Sequence, residues 1–504
     1  MKLKDNYYFS SMFWSITQKV LSSVVSFIAT PLLLGYYGKA DFGLLSLATA
    51  CNGYVHILDL GMNVGAVRYF SIWRAEGKNE RINRVARTNL SFYGIISFIN
   101  ILLLLIIAWF GESWFSVTHE QFQTLKVCLY ILAFFSVFNW LTTVFNQLLT
   151  ADKQMTFIMQ MNTLITILRG LLIGAVFLFG LSLATYFFWQ TFLYASLIIP
   201  LLVKCRQDNL VDSLLPAQYW KEFKPVLVFS LSIFALSFFQ MSATQTRPLI
   251  LGMFSEEGAS CVTDFTIISV FPALIITIAG TFSGIFLPMT SEMVTKGQKE
   301  VMAAFCYNWT KRTSIIICVL SFPFILCAKE LLCAYVGETY SNLSLWLIIW
   351  CFTILVQMHT TPGNALVLAH GRTKELVIST AIFCAISIVL NAILCKYFAV
   401  GSAIIAYFVY VILVIGLYYV FYYKHLLGLS RRKLFVCFIE PTFLGLFLYI
   451  VINLIPWDIS MFGSINARSA YVLLCIVKTL VWLIPFVLLI HLFRIEDIRY
   501  IFKK

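Results

Sequence analysis

Apolar runs about as long as a bilayer is thick recur along the whole chain, and they constrain its fold more than any other feature. A helix needs about 20 predominantly apolar residues to cross a membrane. The runs in this sequence, separated by short charged or turn-rich breaks, predict about 14 transmembrane helices. The breaks are too short to hold a soluble domain. The predicted spans are residues 9–34, 42–70, 89–110, 124–150, 156–180, 183–203, 225–252, 264–290, 313–328, 341–368, 376–395, 399–423, 435–455 and 470–492.

Composition gives the same fold class. Apolar residues make up 60% of the 504 and charged residues only 12%, whereas a soluble domain carries about 25% charged residues. The first run, residues 9–34, is longer than the ~7–15-residue apolar core of a signal peptide, so we interpret it as an uncleaved span. The sequence therefore predicts an all-α polytopic membrane protein.

Lysine and arginine concentrate in alternate breaks between the spans. If the N-terminus is cytoplasmic, the outer loops hold only Lys39, Lys329, Lys396 and Arg468. Cytoplasmic loops of membrane proteins carry an excess of these residues, so we expect both termini on the cytoplasmic side of a bacterial inner membrane. The formal net charge of +13 has the same origin and indicates contact with anionic lipids, with no role for nucleic acid.

A weak internal repeat divides the chain. Leu32-Leu33-Leu34-Gly35 ends the first span and Leu249-Ile250-Leu251-Gly252 ends the seventh, while Asp41-Phe42 and Asp264-Phe265 open the spans that follow. An offset of six spans preserves orientation, as in transporters built from parallel repeats. The sequence thus predicts two six-helix bundles and a C-terminal helix pair. The N-terminal bundle is expected at residues 1–210, the C-terminal bundle at 211–430, and the extra pair with a cytoplasmic tail at 431–504.

Several basic residues lie inside the apolar runs. A charge at mid-membrane costs at least ~2.5–3.5 kcal/mol on insertion scales, so such residues usually face a bundle interior or water. Arg68 lies near a span end, where its side chain could instead extend to the lipid headgroups, and structural ion pairs are the alternative for the others. The candidate substrate-binding residues are Lys19, Arg68, Arg169, Arg247 and Lys478.

Acidic residues inside the spans are scarce. Asp59 lies well within a run and is the candidate site for a coupling ion or proton, although it could instead pair with Lys19 of the neighbouring span. Unpaired positive charge in a cavity favours an anionic substrate. An exporter of cations would need the opposite, an excess of buried carboxylates.

Glycine and proline loosen some spans. Gly53, Gly61 and Gly65 fall in span 2, and Pro248, Pro323 and Pro362 fall in spans 7, 9 and 10. Proline removes a backbone hydrogen bond and kinks a helix, so we expect bends that suit bundles rocking against each other.

Enzymatic motifs and cofactor motifs do not emerge from the sequence. The outer loops are short and their acidic residues are scattered, and no nucleophile–base set or phosphate-binding loop pattern occurs. The 13 cysteines lie mostly in apolar runs without metal-ligand spacing. We therefore expect a protein that is not an enzyme, binds no cofactor or metal, and is driven by an ion gradient or by the gradient of its substrate.

The first 90 residues resemble the polysaccharide flippases of the multidrug/oligosaccharidyl-lipid/polysaccharide exporter superfamily. Residues 31–44, PLLLGYYGKADFGL, resemble the short outer turn between their first two spans. Asp59-Leu60-Gly61-Met62-Asn63 followed by Val67-Arg68-Tyr69 resembles their second span.

The resemblance implies export of undecaprenyl-pyrophosphate-linked oligosaccharides by alternating access of two lobes around a cationic lumen. It puts Lys19, Arg68 and Arg247 on spans 1, 2 and 7, where the related lipid II flippases keep cavity cations. It also implies a lipid-tail groove at the last two spans, with membrane lipids, a polysaccharide polymerase and chain-length proteins as partners. A lipid II or teichoic-type flippase, an ion-coupled multidrug or metabolite antiporter, and a membrane enzyme of polysaccharide assembly are the alternatives.

Overall fold

The chain is all-α, as predicted. A computed structural model describes residues 2–297, 299–370, 373–457 and 466–492. In these ranges it contains 18 α-helices and no strand. The predicted cytoplasmic tail, from residue 493 onward, lies outside the described residues.

Contacts divide the chain into two compact units, residues 1–263 and 264–504. The seventh expected span, in helix α9, belongs to the first unit, where it packs against α2, α3 and α4. The first unit contains α1 (Lys2–Tyr37), α2 (Lys39–Val55), α3 (Met62–Ala75), α4 (Asn79–Phe110), α5 (His119–Ala151), α6 (Met155–Phe179), α7 (Leu183–Ser196), α8 (Ile198–Gln207), α9 (Trp220–Phe254) and the start of α10 (Ala259–Thr295). The second contains the rest of α10, then α11 (Lys299–Leu326), α12 (Ala328–Tyr335), α13 (Ser344–Met358), α14 (Thr361–Ala369), α15 (Thr373–Phe398), α16 (Val400–Leu417), α17 (Arg431–Asn453) and α18 (Ala467–Leu492).

Twelve stretches among the described residues are long and apolar enough to cross a membrane, so the chain is a multi-pass membrane protein. Two predicted spans are not among these twelve. The span predicted at 42–70 is broken, because α2 ends at Val55 and α3 begins at Met62. The span predicted at 225–252 lies within α9, whose 35 residues give a length of about 52 Å at 1.5 Å per residue.

Several helices begin at residues that bond their free backbone N–H groups. The Thr118 hydroxyl accepts from the backbone N–H of Gln121, whose side chain in turn accepts from the Thr118 N–H, which forms a capping box at the start of α5. Ser182 and Ser430 cap α7 and α17 through their hydroxyls. These caps set where α5, α7 and α17 enter the bilayer.

The core of the first unit lies where α3, α4, α5 and α9 meet. Its largest buried side chains include Trp73, Trp140, Phe145 and Phe223. Two ion pairs join these helices at the end of the unit that we predict to be cytoplasmic: Arg74 with Asp152 at 2.7 Å and Arg84 with Glu222 at 3.0 Å. Buried aromatic side chains therefore pack these helices together, and ion pairs connect them at the predicted cytoplasmic end.

The second unit packs α17 and α18 against α11 and α12. The buried Trp482 of α18 stacks on Phe322 of α11 at 5.0 Å and on Phe486 at 4.5 Å. Its indole N–H donates to the carbonyl of Gly445 on α17 at 3.1 Å. Trp482 thus joins both helices of the expected C-terminal pair to α11, and an ion pair between Lys311 of α11 and Glu440 of α17 adds to this contact.

A second helix break, in the second unit, separates α13 from α14 at His359 and Thr360, both with right-handed backbone angles. Pro362 lies in the first turn of α14, whereas Pro248 and Pro323 lie inside the continuous helices α9 and α11. Of the three prolines expected to bend spans, only Pro362 in the tenth predicted span therefore accompanies a break between two helices.

This second break is fully packed. The His359 ring is 2% exposed and stacks on Phe438 at 4.1 Å. Its Nδ1 donates to the Val356 carbonyl, and its Nε2 accepts from the Tyr419 hydroxyl at 3.1 Å. Tyr419 belongs to a π-helical segment, Tyr418–Leu426, that follows α16. All hydrogen-bonding capacity of the His359 ring is used within the unit.

Candidate functional site

The break in the second predicted span shapes the candidate site of the first unit. After α2 the chain makes a 3₁₀ turn, His56–Asp59, and then Leu60 and Gly61 adopt left-handed angles with φ of 53° and 71°. Glycine tolerates this conformation at no steric cost. A Cβ on Gly61 would also lie 2.7 Å from the backbone carbonyl oxygen of Ser230 on α9. The turn therefore requires glycine both for its backbone angle and for the close approach of α9.

Asp59 ends this turn and is the first member of a hydrogen-bonded chain. One carboxylate oxygen accepts from the backbone N–H of Asn63 at 3.3 Å, and the other from the Tyr93 hydroxyl at 2.5 Å. Gln147 donates to Tyr93 at 2.9 Å, and Asn89 donates to Gln147 at 2.7 Å. The chain runs from the end of α2 through α4 to α5.

Lys19 is not a partner of Asp59, so the alternative that the two residues pair is wrong. Lys19 lies on α1 with an exposed side chain and forms no ion pair with another described residue. Asp59 instead obtains its hydrogen bonds from the turn that it ends and from α4. The role of each as a substrate or coupling-ion residue stays a prediction.

Arg68 contacts a residue in the wall of a cavity that two lysines also line. Its guanidinium lies 4.2 Å from the centroid of the Phe229 ring of α9, a cation–π contact. Phe229 lines a cavity of about 520 Å³ whose wall also includes Lys221 and Lys224, and we call it the basic cavity. It is lined by Tyr69, Lys221, Lys224, Pro225, Val228 and Phe229.

The charges around the basic cavity are not neutralised within the protein. Arg68, Lys221 and Lys224 are exposed, and none of the three forms an ion pair with another residue that the structure describes. The nearby Glu222 is directed to Arg81 and Arg84 instead. From sequence, Lys221 and Lys224 read only as charges that set orientation, because nothing in their spacing indicated that α9 brings them beside Arg68.

Arg169 lies on α6 and contacts a residue in the wall of a second cavity of the first unit. Its guanidinium lies 4.9 Å from the centroid of the Tyr194 ring, and its Nε is buried without a hydrogen-bond partner among the described residues. Tyr194 lines a cavity of about 310 Å³ between α2, α5 and α7. Because its wall carries the side chains of Asn52, Asn139 and Gln190, we call it the amide cavity.

Arg247 is buried on α9, with 6% of its surface exposed. Two residues before it, Gln245 lies against α2, where a Cβ on Gly53 would come within 3.2 Å of its side-chain oxygen. The side chain of Gln240, another amide on this helix, lies outside the described part of the chain. Arg247 and Gln245 therefore carry polar side chains along α9, near its packing against α2.

Lys478 is held differently. Its side chain is 4% exposed and pairs with Glu330 of α12. The ammonium also lies 5.8 Å from the Trp457 ring centroid. Among the five predicted basic residues, Arg68 and Arg169 each contact an aromatic ring in the wall of a cavity of the first unit, whereas Lys478 of the second unit has a carboxylate partner.

No protein-family profile matches the chain. It is 22% identical over 394 residues to the uncharacterized membrane protein EpsK of Bacillus subtilis (strain 168), an alignment that covers 75% of this chain and 74% of EpsK.

Solved structures of two transporter types share its fold. The lipid II flippase MurJ in an inward closed conformation gives a TM-score of 0.69 at 14% identity, covering 94% of this chain and 98% of MurJ. An inward-facing multidrug resistance MATE family transporter of the MOP superfamily gives 0.67 at 13% identity, covering 88% and 99%. At these identities the likeness is one of fold, and the fold implied by the resemblance in the sequence is confirmed.

Proposed function

We propose that this protein is a flippase that moves undecaprenyl-pyrophosphate-linked oligosaccharides from the cytoplasmic to the periplasmic leaflet of a bacterial inner membrane. The basic cavity is the observation that carries this proposal, since the unpaired Lys221 and Lys224 line it and the unpaired Arg68 contacts the ring of Phe229 in its wall. The fold shared with a lipid II flippase supports a lipid-linked substrate, and the sequence resemblance supports the oligosaccharide.

The chemistry of the basic cavity selects an anion. Attraction between opposite charges grows as water is excluded and the effective dielectric constant falls. A pyrophosphate supplies several negative charges and acceptor oxygens, and the planar Arg68 guanidinium can donate to two of them at once. Lys221 and Lys224 add point charges that need no fixed geometry. The same charges repel a cationic drug.

The proposal also assigns a role in substrate binding or ion coupling to the other predicted residues. Lys19, Arg169 and Arg247 extend the positive path along the N-terminal bundle, and Asp59 is the candidate site for a coupling ion. Lys478 contributes from the C-terminal pair. Alternating access would involve bundles at residues 1–210 and 211–430, with the pair and tail at 431–504, both termini in the cytoplasm, and a polymerase and chain-length proteins as partners.

The test reverses the charge of the basic cavity. In a strain whose surface glycan depends on this protein, Arg68→Glu and the double variant Lys221→Glu/Lys224→Glu should each reduce export about tenfold or more, because the anion then meets repulsion. Arg169→Ala and Arg247→Ala should also lose export. Surface glycan is measured together with the amount of protein in the membrane.

Lys78→Glu is the matched control, because Lys78 is exposed in a loop and already paired with Glu76. It should export normally. Normal export by both charge-reversal variants would overturn the proposal. Loss of cell-wall synthesis with surface glycan intact would favour the lipid II-type alternative, and increased sensitivity to cationic drugs would favour an ion-coupled antiporter.

A further inference from the structure

The amide cavity belongs to the first unit, and eight of the eleven residues that line it carry a polar group on the side chain. Its volume of about 310 Å³ is at the lower end of the ~300–1,000 Å³ range of small-molecule sites. It therefore suits one compact group rather than a long chain. Its polar lining comes from Asn52 and His56 at the end of α2, Asn139 on α5, and Gln190, Thr191 and Tyr194 on α7.

Three amides of this cavity have unused hydrogen-bonding capacity. The side chains of Asn52, Asn139 and Gln190 form no hydrogen bond with any residue in the described ranges. Each amide offers two donors and one acceptor oxygen. The three side chains are half-buried and line the cavity, so a molecule bound there can reach them. The lining is therefore complementary to a ligand that both donates and accepts hydrogen bonds.

Hydroxyl groups and rings complete the lining. Thr142 and Thr191 donate to the carbonyls of Phe138 and Phe187, four residues earlier, at 2.7 and 2.8 Å. Their oxygens keep lone pairs that can accept from a ligand. The Tyr194 ring is 40% exposed. Aromatic rings have an electron-rich face, against which the C–H face of a saturated ring packs well.

Other ligand classes fit less well. A cation would need carboxylates, and the lining includes none; Asp59, the nearest in sequence to His56, is bonded to Tyr93 and Asn63. An inorganic anion would need cations in the wall, and the lining includes no lysine or arginine. An apolar compound would leave the amides unbonded.

We infer that the amide cavity binds a sugar residue of the transported lipid. Sugar hydroxyls donate and accept, as the three amides require, and a pyranose ring presents a C–H face to Tyr194. This assignment rests on the proposed function and divides the substrate between two sites, with the pyrophosphate at the basic cavity and a sugar at the amide cavity.

The test compares two lipids on the full-length protein in nanodiscs. The probes are undecaprenyl pyrophosphate and a panel of undecaprenyl pyrophosphates that carry a disaccharide. The unaltered protein should bind at least one glycosylated lipid about tenfold more tightly than the bare lipid, as a few net hydrogen bonds provide. The double variant Asn139→Leu/Gln190→Met, which preserves volume, should bind both lipids alike while keeping its affinity for the bare lipid.

Gln123→Ala is the control, because Gln123 is an exposed amide on α5 outside the cavity; it should keep the tenfold preference. Should the double variant unfold, Gln190→Met alone is measured, and it should lose most of the preference. A preference unchanged in these variants, or absent in the unaltered protein, would overturn the sugar assignment and leave the proposed function standing. Binding of both lipids no better than that of phosphatidylglycerol would overturn the proposed function itself.

Discussion

Each unit contains one broken span with a histidine at the break, but the two breaks differ in how their polar groups are bonded. Each break puts a histidine at the end of its first half-helix and against an aromatic ring: the His56 ring is tilted against Trp140 at 4.9 Å, and the His359 ring stacks on Phe438 at 4.1 Å. The ring of His56 is exposed to the amide cavity and forms no hydrogen bond with a described residue. Both nitrogens of His359 are bonded.

The turns differ as well. The first needs left-handed angles at Leu60 and Gly61 and ends in a carboxylate. The second keeps right-handed angles at His359 and Thr360 and is surrounded by tyrosines. A break whose polar groups are all bonded serves stability, whereas one that leaves polar groups facing a cavity has them available for a ligand. The contrast indicates that the first break is the functional one.

Adding a methyl group at Gly61, in the turn of the first break, is expected to have the largest effect on stability. Gly61→Ala should destabilise the protein by about 2–4 kcal/mol, because alanine is strained at positive φ and its Cβ would meet the Ser230 carbonyl. Gly94→Ala, on α4 with open space around the Cβ position, should be neutral or slightly stabilising. Thermal unfolding in detergent measures both. Equal behaviour of the two variants would show that the left-handed turn is dispensable.

Removing each histidine tests the contrast directly. His359→Ala should cost about 2–3 kcal/mol, because it opens a cavity and leaves the Val356 carbonyl and the Tyr419 hydroxyl without their partner. His56→Ala should cost much less, since its ring is exposed and not hydrogen-bonded. The midpoint of thermal unfolding again measures the difference. A larger loss for His56→Ala would reverse our interpretation of the two breaks.

Removing a single tyrosine hydroxyl group is expected to have the smallest effect on stability. Tyr93→Phe should cost about 1–2 kcal/mol, because Tyr93 bonds the Asp59 carboxylate, and hydrogen bonds to a charged group are roughly twice as strong as neutral ones. Tyr418→Phe, which loses a neutral bond to Asn364 at 2.7 Å, should cost about half as much. Tyr449→Phe is the control, since that hydroxyl has no partner among the described residues. Equal costs for Tyr93→Phe and Tyr418→Phe would show that the bond to Asp59 adds no more stability than a neutral one.

The sequence predicted the all-α class and most of the spans because bilayer thickness dictates the length of apolar runs. It also indicated looseness in span 2 through Gly53, Gly61 and Gly65, but not the complete break. The left-handed pair depends on the approach of α9 to Gly61. A contact between residues about 170 positions apart has no signature in local periodicity.

The candidate site was predicted in part. Charge inside an apolar run indicated Arg68 and Arg169, and each contacts an aromatic ring in a cavity wall. Lys221 and Lys224 were missed as cavity residues because the sequence places them in a predicted basic loop before the seventh span. In such a loop, topology alone explains a positive charge. Asn52, Asn139 and Gln190 were missed because uncharged polar residues within a span give a weak signal, and helix rotation decides what they face.

The ion pair between Lys478 and Glu330 also bears on how the protein is made. Lys478 lies in the middle of α18, and an unpaired lysine there opposes insertion by the translocon. Its carboxylate partner lies 148 residues earlier in the chain and is therefore synthesised first. Helix α12 is therefore inserted before α18, so Glu330 is already in place when Lys478 leaves the translocon and can pair with it at once.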